Sequence, residues 1–261
     1  MSLAVPWYLT LVIFATNLAI AVSVWRIFGS AARRTGLAPE AQRRVRAGLA
    51  LFFGAWLGLV LLLAPAPASL LARDPFYLTP LIPLFATLGP AFALVALGAS
   101  PSLRRVVGAA SLPAMIGVQV YRTIGLVFLI LLALGQAPAH FALPAGWGDI
   151  AIGVAALFVA LALARGVRGA RALAIGWNLV GLLDLVVAVG MGTGFLAPLL
   201  APSLGARVPP VAVMGAFPMF LVPAFAVPVS VLLHLLALGR LARPARLGSF
   251  RGAGAKPLTT A

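Results

Sequence analysis

Apolar runs of about 20 residues recur along the whole chain, and this feature restricts the fold more than any other. An α-helix of that length crosses the roughly 30 Å of hydrocarbon in a bilayer. A chain inside hydrocarbon must satisfy its own backbone hydrogen bonds, and a continuous apolar run does so as a helix. The sequence therefore predicts an all-α membrane protein, with little chain left for a soluble domain.

The runs divide the chain into seven predicted spans. Their approximate boundaries, in chain order, are residues 6–28, 47–64, 78–98, 112–135, 147–164, 172–191 and 211–238. In span 2, the spacing of Gly54 and Gly58 would let another helix approach closely. We place all seven spans in one domain, residues 1–242. The basic, glycine-rich residues 243–261 are expected to form a disordered cytoplasmic tail.

Basic residues are concentrated in alternate links between the spans. Of the 19 Lys and Arg residues, sixteen lie in links 1–2, 3–4 and 5–6 and in the C-terminal tail, while Arg73 and Arg207 lie in the opposite links. Because cytoplasmic links carry the excess of basic residues, the N-terminus is expected outside and the C-terminus in the cytoplasm. The abundant alanine, with Lys256 as the single lysine, is typical of a GC-rich bacterial genome. We therefore expect a multi-pass protein of the bacterial inner membrane.

The net charge of +15 would suggest a nucleic-acid partner if the protein were soluble. Here the basic residues lie in short links, without a folded basic surface carrying interleaved aromatic residues, so no nucleic-acid partner is expected. The expected partners are the lipid bilayer and the anionic headgroups at its cytoplasmic face. The chain has no cysteine, which excludes disulfides, thiolate metal sites and thiol nucleophiles.

Spans 1–3 and 5–7 would share one orientation, with span 4 as the link between them. Spans 3 and 7 are rich in proline, and spans 2 and 6 each contain an interior tryptophan, Trp56 and Trp177. This correspondence suggests a parallel 3+1+3 internal repeat. The plan is similar in architecture to that of the SWEET sugar transporters, although their prolines fall on other spans.

Span 4 contains the charge that is most costly to bury. Arg122 lies roughly 15 Å from the cytoplasmic end of this span at 1.5 Å per residue, with Gln119, Tyr121 and Thr123 close to it in sequence. A charge at that depth usually pairs with another charge or lines a water-filled cavity, and it marks a candidate functional site. The expected partner is Asp184 of span 6, roughly 18 Å from the same end.

Two further polar residues of span 6 extend this predicted site. Trp177 and Asp184 share one helix face, and Asn178 lies to one side of it. Together with Gln119 and Thr123, these side chains would either cradle a small polar or anionic solute or form an interhelical hydrogen-bond network.

Two ionisable residues are placed near opposite ends of the predicted bundle. Asp149 lies close to the outer end of span 5 and would guard the outer mouth of the site. It would reach Arg122 only if span 5 began nearer Leu143. His234 lies about one turn from the cytoplasmic end of span 7 and would accept a proton at the inner mouth.

Three classes of function fit these residues. The first is a transporter or binder of a small polar or anionic solute, and the second is a non-transport protein that binds lipid or a partner subunit, with structural buried charges. The third is an intramembrane enzyme, because Gly146-Trp-Gly-Asp149 resembles the GxGD motif of intramembrane aspartyl proteases. That resemblance would make Asp184 the second catalytic aspartate, although in that family the other aspartate comes first. We favour a non-enzymatic role and assign no catalytic residue.

No cofactor or metal ion is expected from the sequence. Retinal needs a lysine inside the last span, and none is there. A haem held by two histidines needs both at one depth, whereas His140 is placed in an outer loop and His234 near the inner end. No HExxH zinc motif is present.

Overall fold

The structure, a computed structural model, describes residues 5–63, 81–200, 202–204 and 211–242. Within these ranges 85% of the residues are helical and no strand is found. Six of the helices are long and apolar enough to cross a membrane. These findings confirm the prediction of an all-α, multi-pass membrane protein. Arg73, Asp74, Arg207 and the predicted tail lie outside the described residues.

The described helices are numbered in chain order. They are α1 Trp7–Arg33, α2 Pro39–Leu63, α3 Leu81–Ala99, α4 Pro101–Ala109, α5 Leu112–Gly117, α6 Leu126–Ala133, α7 Ala139–Ala164, α8 Ala170–Gly192, α9 Ala197–Leu200 and α10 Val227–Leu241. A 3₁₀ segment, Val118–Gly125, joins α5 to α6, and a π segment, Val222–Ala226, precedes α10. Short 3₁₀ turns also cover Pro202–Leu204 and Ala212–Gly215.

The six long apolar helices correspond to predicted spans 1, 2, 4, 5, 6 and 7. Span 4 consists of α5, the 3₁₀ segment and α6, and span 7 consists of the π segment and α10. Helix α3 lies where span 3 is predicted, but it begins next to residues outside the described range. The number seven therefore stays a prediction.

Two span boundaries differ from the sequence prediction in ways that affect the site. Span 5 begins at Ala139 rather than near residue 147, with Pro144 inside the helix. A proline removes one backbone hydrogen bond, and membrane helices tolerate that loss, so Pro144 does not mark the start of the helix. Span 7 runs over Val222–Leu241, not 211–238. Residues 212–220 instead form a 3₁₀ turn and further turns.

Span 7 is the centre of the described bundle. In the most apolar 18-residue stretch of this span, 72% is buried. The corresponding share is 44% or less in each of the other five spans. Pro228 has no N–H, so the carbonyl of Ala224, four residues earlier, loses its helical partner. The indole Nε1 of Trp56 on α2 donates to that carbonyl at 3.1 Å. The prolines therefore distort this helix, and a neighbouring span satisfies the freed carbonyl.

Several basic helix ends meet at one end of the bundle. Arg34, after α1, donates to the carbonyl of Ala109 at the end of α4, at 3.4 Å. Arg240 near the end of α10 donates to the carbonyl of Ala110. Arg171 at the start of α8 donates to the carbonyl of Leu241. The basic links that alternate along the sequence are thus neighbours in space.

Among the described residues, the close helix approach expected at Gly54 and Gly58 is not found. A Cβ built on either glycine would have no described atom within 4 Å. The tight approach occurs instead between the 3₁₀ segment and α7. A Cβ on Gly125 would lie 2.6 Å from the Cβ of Asp149, and one on Gly153 would lie 2.8 Å from the backbone nitrogen of Thr123. This contact brings α7 directly against the polar residues of span 4.

Candidate functional site

Arg122 is the centre of a buried polar cluster. Its side chain is 2% exposed. Nε donates to Oδ1 of Asp149 at 2.7 Å, and Nη2 donates to Oδ2 of Asp184. Nη1 lies 3.3 Å from the carbonyl oxygen of Gly181 and 3.2 Å from Nε2 of His234. Four of the five N–H donors of the guanidinium therefore have partners. The expected pairing of Arg122 with Asp184 is confirmed.

The 3₁₀ geometry of span 4 explains how Arg122 reaches these partners. A 3₁₀ helix has three residues per turn, so residues three apart lie directly above one another. Gln119, Arg122 and Gly125 have this spacing, and all three are buried. An α-helix would spread them over a wider arc. The 3₁₀ geometry thus places Gln119, Arg122 and Gly125 on one narrow face, which contacts α7, α8 and α10.

Asp149 and His234 lie at the level of Arg122, which corrects their placement at the outer and inner mouths. Because α7 begins at Ala139, Asp149 is ten residues into the helix, roughly 15 Å from its start. Because α10 continues to Leu241, His234 is about two turns from its end. Both predicted placements are wrong because they were measured from the wrong helix ends.

The partners of His234 define its tautomer. The guanidinium nitrogen Nη1 can only donate, so Nε2 of His234 accepts and carries no proton. The other ring nitrogen, Nδ1, lies 2.9 Å from Oδ1 of Asn178 and donates to it. Asn178 is held in this orientation because its Nδ2 donates to the carbonyl of Ala174 at 2.7 Å. His234 is therefore neutral in this arrangement.

Glycines provide the space for two members of the cluster. A Cβ on Gly148 would collide with the carboxylate of Asp184, and one on Gly181 would lie 2.6 Å from Nε2 of His234. In the Gly146-Trp-Gly-Asp149 segment, the second glycine has no side chain and therefore leaves room for Asp184 to pack against α7. This packing role accounts for the glycine of the GxGD-like pattern.

The remaining predicted site residues lie around the cluster with differing roles. The ring centroids of Trp177 and His234 lie 4.9 Å apart with the ring planes tilted by 44°, and the indole Nε1 donates to the carbonyl of Ile152. Tyr121 donates to the carbonyl of Ala226 at 3.3 Å. Thr123 donates only to the carbonyl of Val120 in its own segment. The structure thus does not bring the Thr123 hydroxyl to the cluster.

Gln119 is fully buried and has one amide group without a partner. Its Oε1 accepts from the hydroxyl of Ser230 at 2.7 Å, whereas no atom of the described residues bonds to its Nε2. The sequence prediction did not include Ser230. Its position four residues before His234 puts both on one helix face, but the sequence supports no nucleophile there and did not indicate the hydrogen bond to Gln119.

A narrow cavity of about 30 Å³ reaches Asp149. Its walls include Phe128, Phe141 and Leu185, and it extends to Gly192 and Thr193 at the end of α8. One water needs about 10–15 Å³ of such space, so two or three waters fit here. In this conformation the site has no room for a larger solute.

Among the residues that the structure describes, no group of three or more His, Cys, Asp or Glu side chains is placed to hold a metal ion. Among the described residues, Asp149 and Asp184 are the two acidic side chains bonded to Arg122.

One family model matches residues 79–242, which include every residue of the cluster. Its description is a domain of unknown function, so it assigns no activity. The comparisons with curated proteins and with solved structures find no match.

Proposed function

The chain belongs to this family, DUF8737, and we propose from the buried cluster that it is a bacterial inner-membrane transporter or binder of a small polar solute. Arg122, Asp149 and Asp184 form the core of the proposed site. Gln119, Asn178, Trp177 and His234 line it.

The observation that supports this function is the meeting of polar groups with irregular backbone at membrane depth. The 3₁₀ segment Val118–Gly125 contains Arg122, and the π segment Val222–Ala226 is one of the walls of the cavity at Asp149. Irregular segments of membrane helices occur where they line a cavity or a binding site. Short 3₁₀ and π segments are also frequent at functional sites and hinges. A purely structural ion pair would require neither.

The cluster is better suited to a neutral or cationic solute than to an anionic one. Two carboxylates surround one guanidinium, so an added anion would meet a surplus of negative charge. The unpartnered Nε2 of Gln119 offers a hydrogen-bond donor, and the cavity gives access to Asp149. Because the cavity is small, we propose that the solute enters when α7 and span 7 separate.

The alternative is a structural cluster in a protein that binds lipid or another subunit. The near-complete set of hydrogen bonds at Arg122 is consistent with this alternative. The intramembrane protease receives less support, because each carboxylate is already bonded to Arg122 through one oxygen. That arrangement pairs each carboxylate with a cation rather than preparing a water molecule for attack.

The proposed function is tested by ligand-dependent stabilisation of the protein in lipid nanodiscs. A panel of neutral and cationic metabolites should contain a compound that raises the unfolding temperature. A ligand at 100 times its Kd stabilises the folded state by about 2.7 kcal/mol. The shift should be lost in Gln119→Leu and retained in Glu40→Gln, which changes an exposed residue of α2. That compound should then be taken up by proteoliposomes containing the protein.

Two results would contradict this proposal. One is a panel without any stabilising compound, and the other is a stabilising compound whose effect is equal in wild type and Gln119→Leu. Stabilisation without uptake would support a binder rather than a transporter.

We propose that the bundle has seven spans with the N-terminus outside and the basic links in the cytoplasm, where exposed arginines such as Arg43 and Arg44 face anionic headgroups. The 3+1+3 repeat belongs to the same proposal. Because the chain has no cysteine, a single introduced cysteine can be labelled without background from native cysteines. Its labelling then reports the orientation of the protein in the membrane.

The expected result is that Arg168→Cys, in the link between α7 and α8, reacts with a membrane-impermeant maleimide only after the cells are opened. Leu134→Cys, in the link before α7, should react in intact cells. Both side chains are exposed in the structure. The opposite labelling pattern would reverse the proposed orientation.

A further inference from the structure

The ionisable groups of the Arg122 cluster do not balance in charge. The 3₁₀ segment contributes Arg122 and Tyr121, α7 contributes Asp149, α8 contributes Asp184, and α10 contributes His234. Tyr121 is a neutral phenol that donates a hydrogen bond. With both aspartates ionised and His234 neutral, the described cluster carries one net negative charge.

This surplus charge is costly where it lies. Asp149 is 7% exposed and Arg122 2% exposed, and both are in the interior of apolar spans. A buried charge without a partner costs several kcal/mol in a protein interior, and in a membrane span it is avoided or compensated. The cluster therefore needs one more positive charge, which a proton or a bound cation supplies.

His234 is not the group that takes up this charge. Its Nε2 accepts from the guanidinium of Arg122. Protonation there would remove that acceptor and place two cations 3.2 Å apart. Its Nδ1 already carries the proton that is donated to Asn178. The carboxylates are the remaining bases that face the cluster.

The two carboxylates are arranged to share one proton. They bond to neighbouring nitrogens, Nε and Nη2, of the same guanidinium, and the structure records one oxygen of each in these bonds. An Arg–carboxylate fork is usually filled by both oxygens of a single carboxylate. Here two carboxylates occupy it, and one negative charge is sufficient to neutralise the arginine.

We infer that Asp149 and Asp184 together bind one exchangeable proton, and that this proton enters through the cavity at Asp149. The cavity leads from Asp149 to Thr193 at the end of α8 and has room for the few waters that proton transfer needs. Binding is a reversible addition of a proton to a carboxylate oxygen. Its use to couple solute movement to a proton gradient rests on the proposed function, whereas proton binding itself does not.

Infrared spectroscopy of the full chain in lipid nanodiscs tests this inference without any solute. At neutral pH the wild type should show a C=O stretching band of one protonated carboxyl group, and this band should shift in D₂O. The band should disappear in Asp149→Asn and equally in Asp184→Asn. Either substitution removes the surplus charge, so the remaining carboxylate stays ionised beside Arg122. Glu40→Gln, the exposed control, should retain the band.

The absence of a protonated carboxyl band in folded wild type would overturn the inference. If, in addition, sodium chloride but not choline chloride stabilised the protein, the extra positive charge would be a metal cation rather than a proton. A band that survives in both single variants would also overturn it. A solute panel without a stabilising compound would contradict the proposed function and leave the spectroscopic result unaffected.

Discussion

The double variant Asp149→Asn/Asp184→Asn is expected to lose most of its folded protein, whereas each single substitution leaves stability close to that of the wild type. One carboxylate is sufficient to neutralise Arg122, and an asparagine Oδ1 still accepts the hydrogen bond from Nε or Nη2. The double variant leaves a buried guanidinium without a counter-charge. Removing the partner of a buried charge costs about 3–5 kcal/mol. Thermal unfolding and the monodisperse fraction in detergent measure this loss.

A third substitution shows whether the loss is electrostatic. Adding Arg122→Gln to the double variant removes the buried charge altogether, and stability should recover in part, because replacing all members of a buried ionic group is less damaging than removing one side. Glu40→Gln serves as the control for charge change at an exposed site. If either single variant were as unstable as the double variant, both carboxylates would be required in the ionised form.

The sequence predicted the pairing of Arg122 with Asp184 because both depths were measured from well-placed helix ends. The N-terminal ends of spans 4 and 6 lie within about two residues of their predicted positions. Asp149 was placed too far out because span 5 begins eight residues earlier than predicted. At 1.5 Å per residue, that error moves Asp149 by about 12 Å. The depth estimated for a residue is therefore only as accurate as the helix end from which it is counted.

The 3₁₀ segment could not be predicted from local sequence. Residues 118–125 read as a continuation of an apolar α-helix, and 3₁₀ and α geometries differ only in which backbone groups pair. Tertiary contact with α7 accompanies the 3₁₀ form, since Gly125 and Gly153 allow the two backbones to touch. The sequence did contain the glycines, but it did not show which of its many glycines take part in such a contact.

Gly125→Ala is expected to destabilise the protein by about 1–3 kcal/mol or more, as overpacking in a tight core does. The new Cβ would lie 2.6 Å from the Cβ of Asp149 and 2.8 Å from the carbonyl oxygen of Gly146. Neither atom belongs to the flexible end of a side chain, so relief requires α7 to move away from the 3₁₀ segment. That movement would also draw Asp149 away from Nε of Arg122, and the expected result combines overpacking with a weakened ion pair.

Gly176→Ala on α8 is the matched control for this substitution. No described atom lies within 4 Å of a Cβ at this exposed position. In an exposed helix alanine is favoured over glycine by up to about 1 kcal/mol, so the control should be neutral or slightly stabilising. A lower unfolding temperature in Gly125→Ala, without such a decrease in Gly176→Ala, would establish that the glycine at 125 serves the contact with α7. Equal shifts would show that the 3₁₀ segment and α7 separate easily, and the position of Asp149 beside Arg122 would then require another cause.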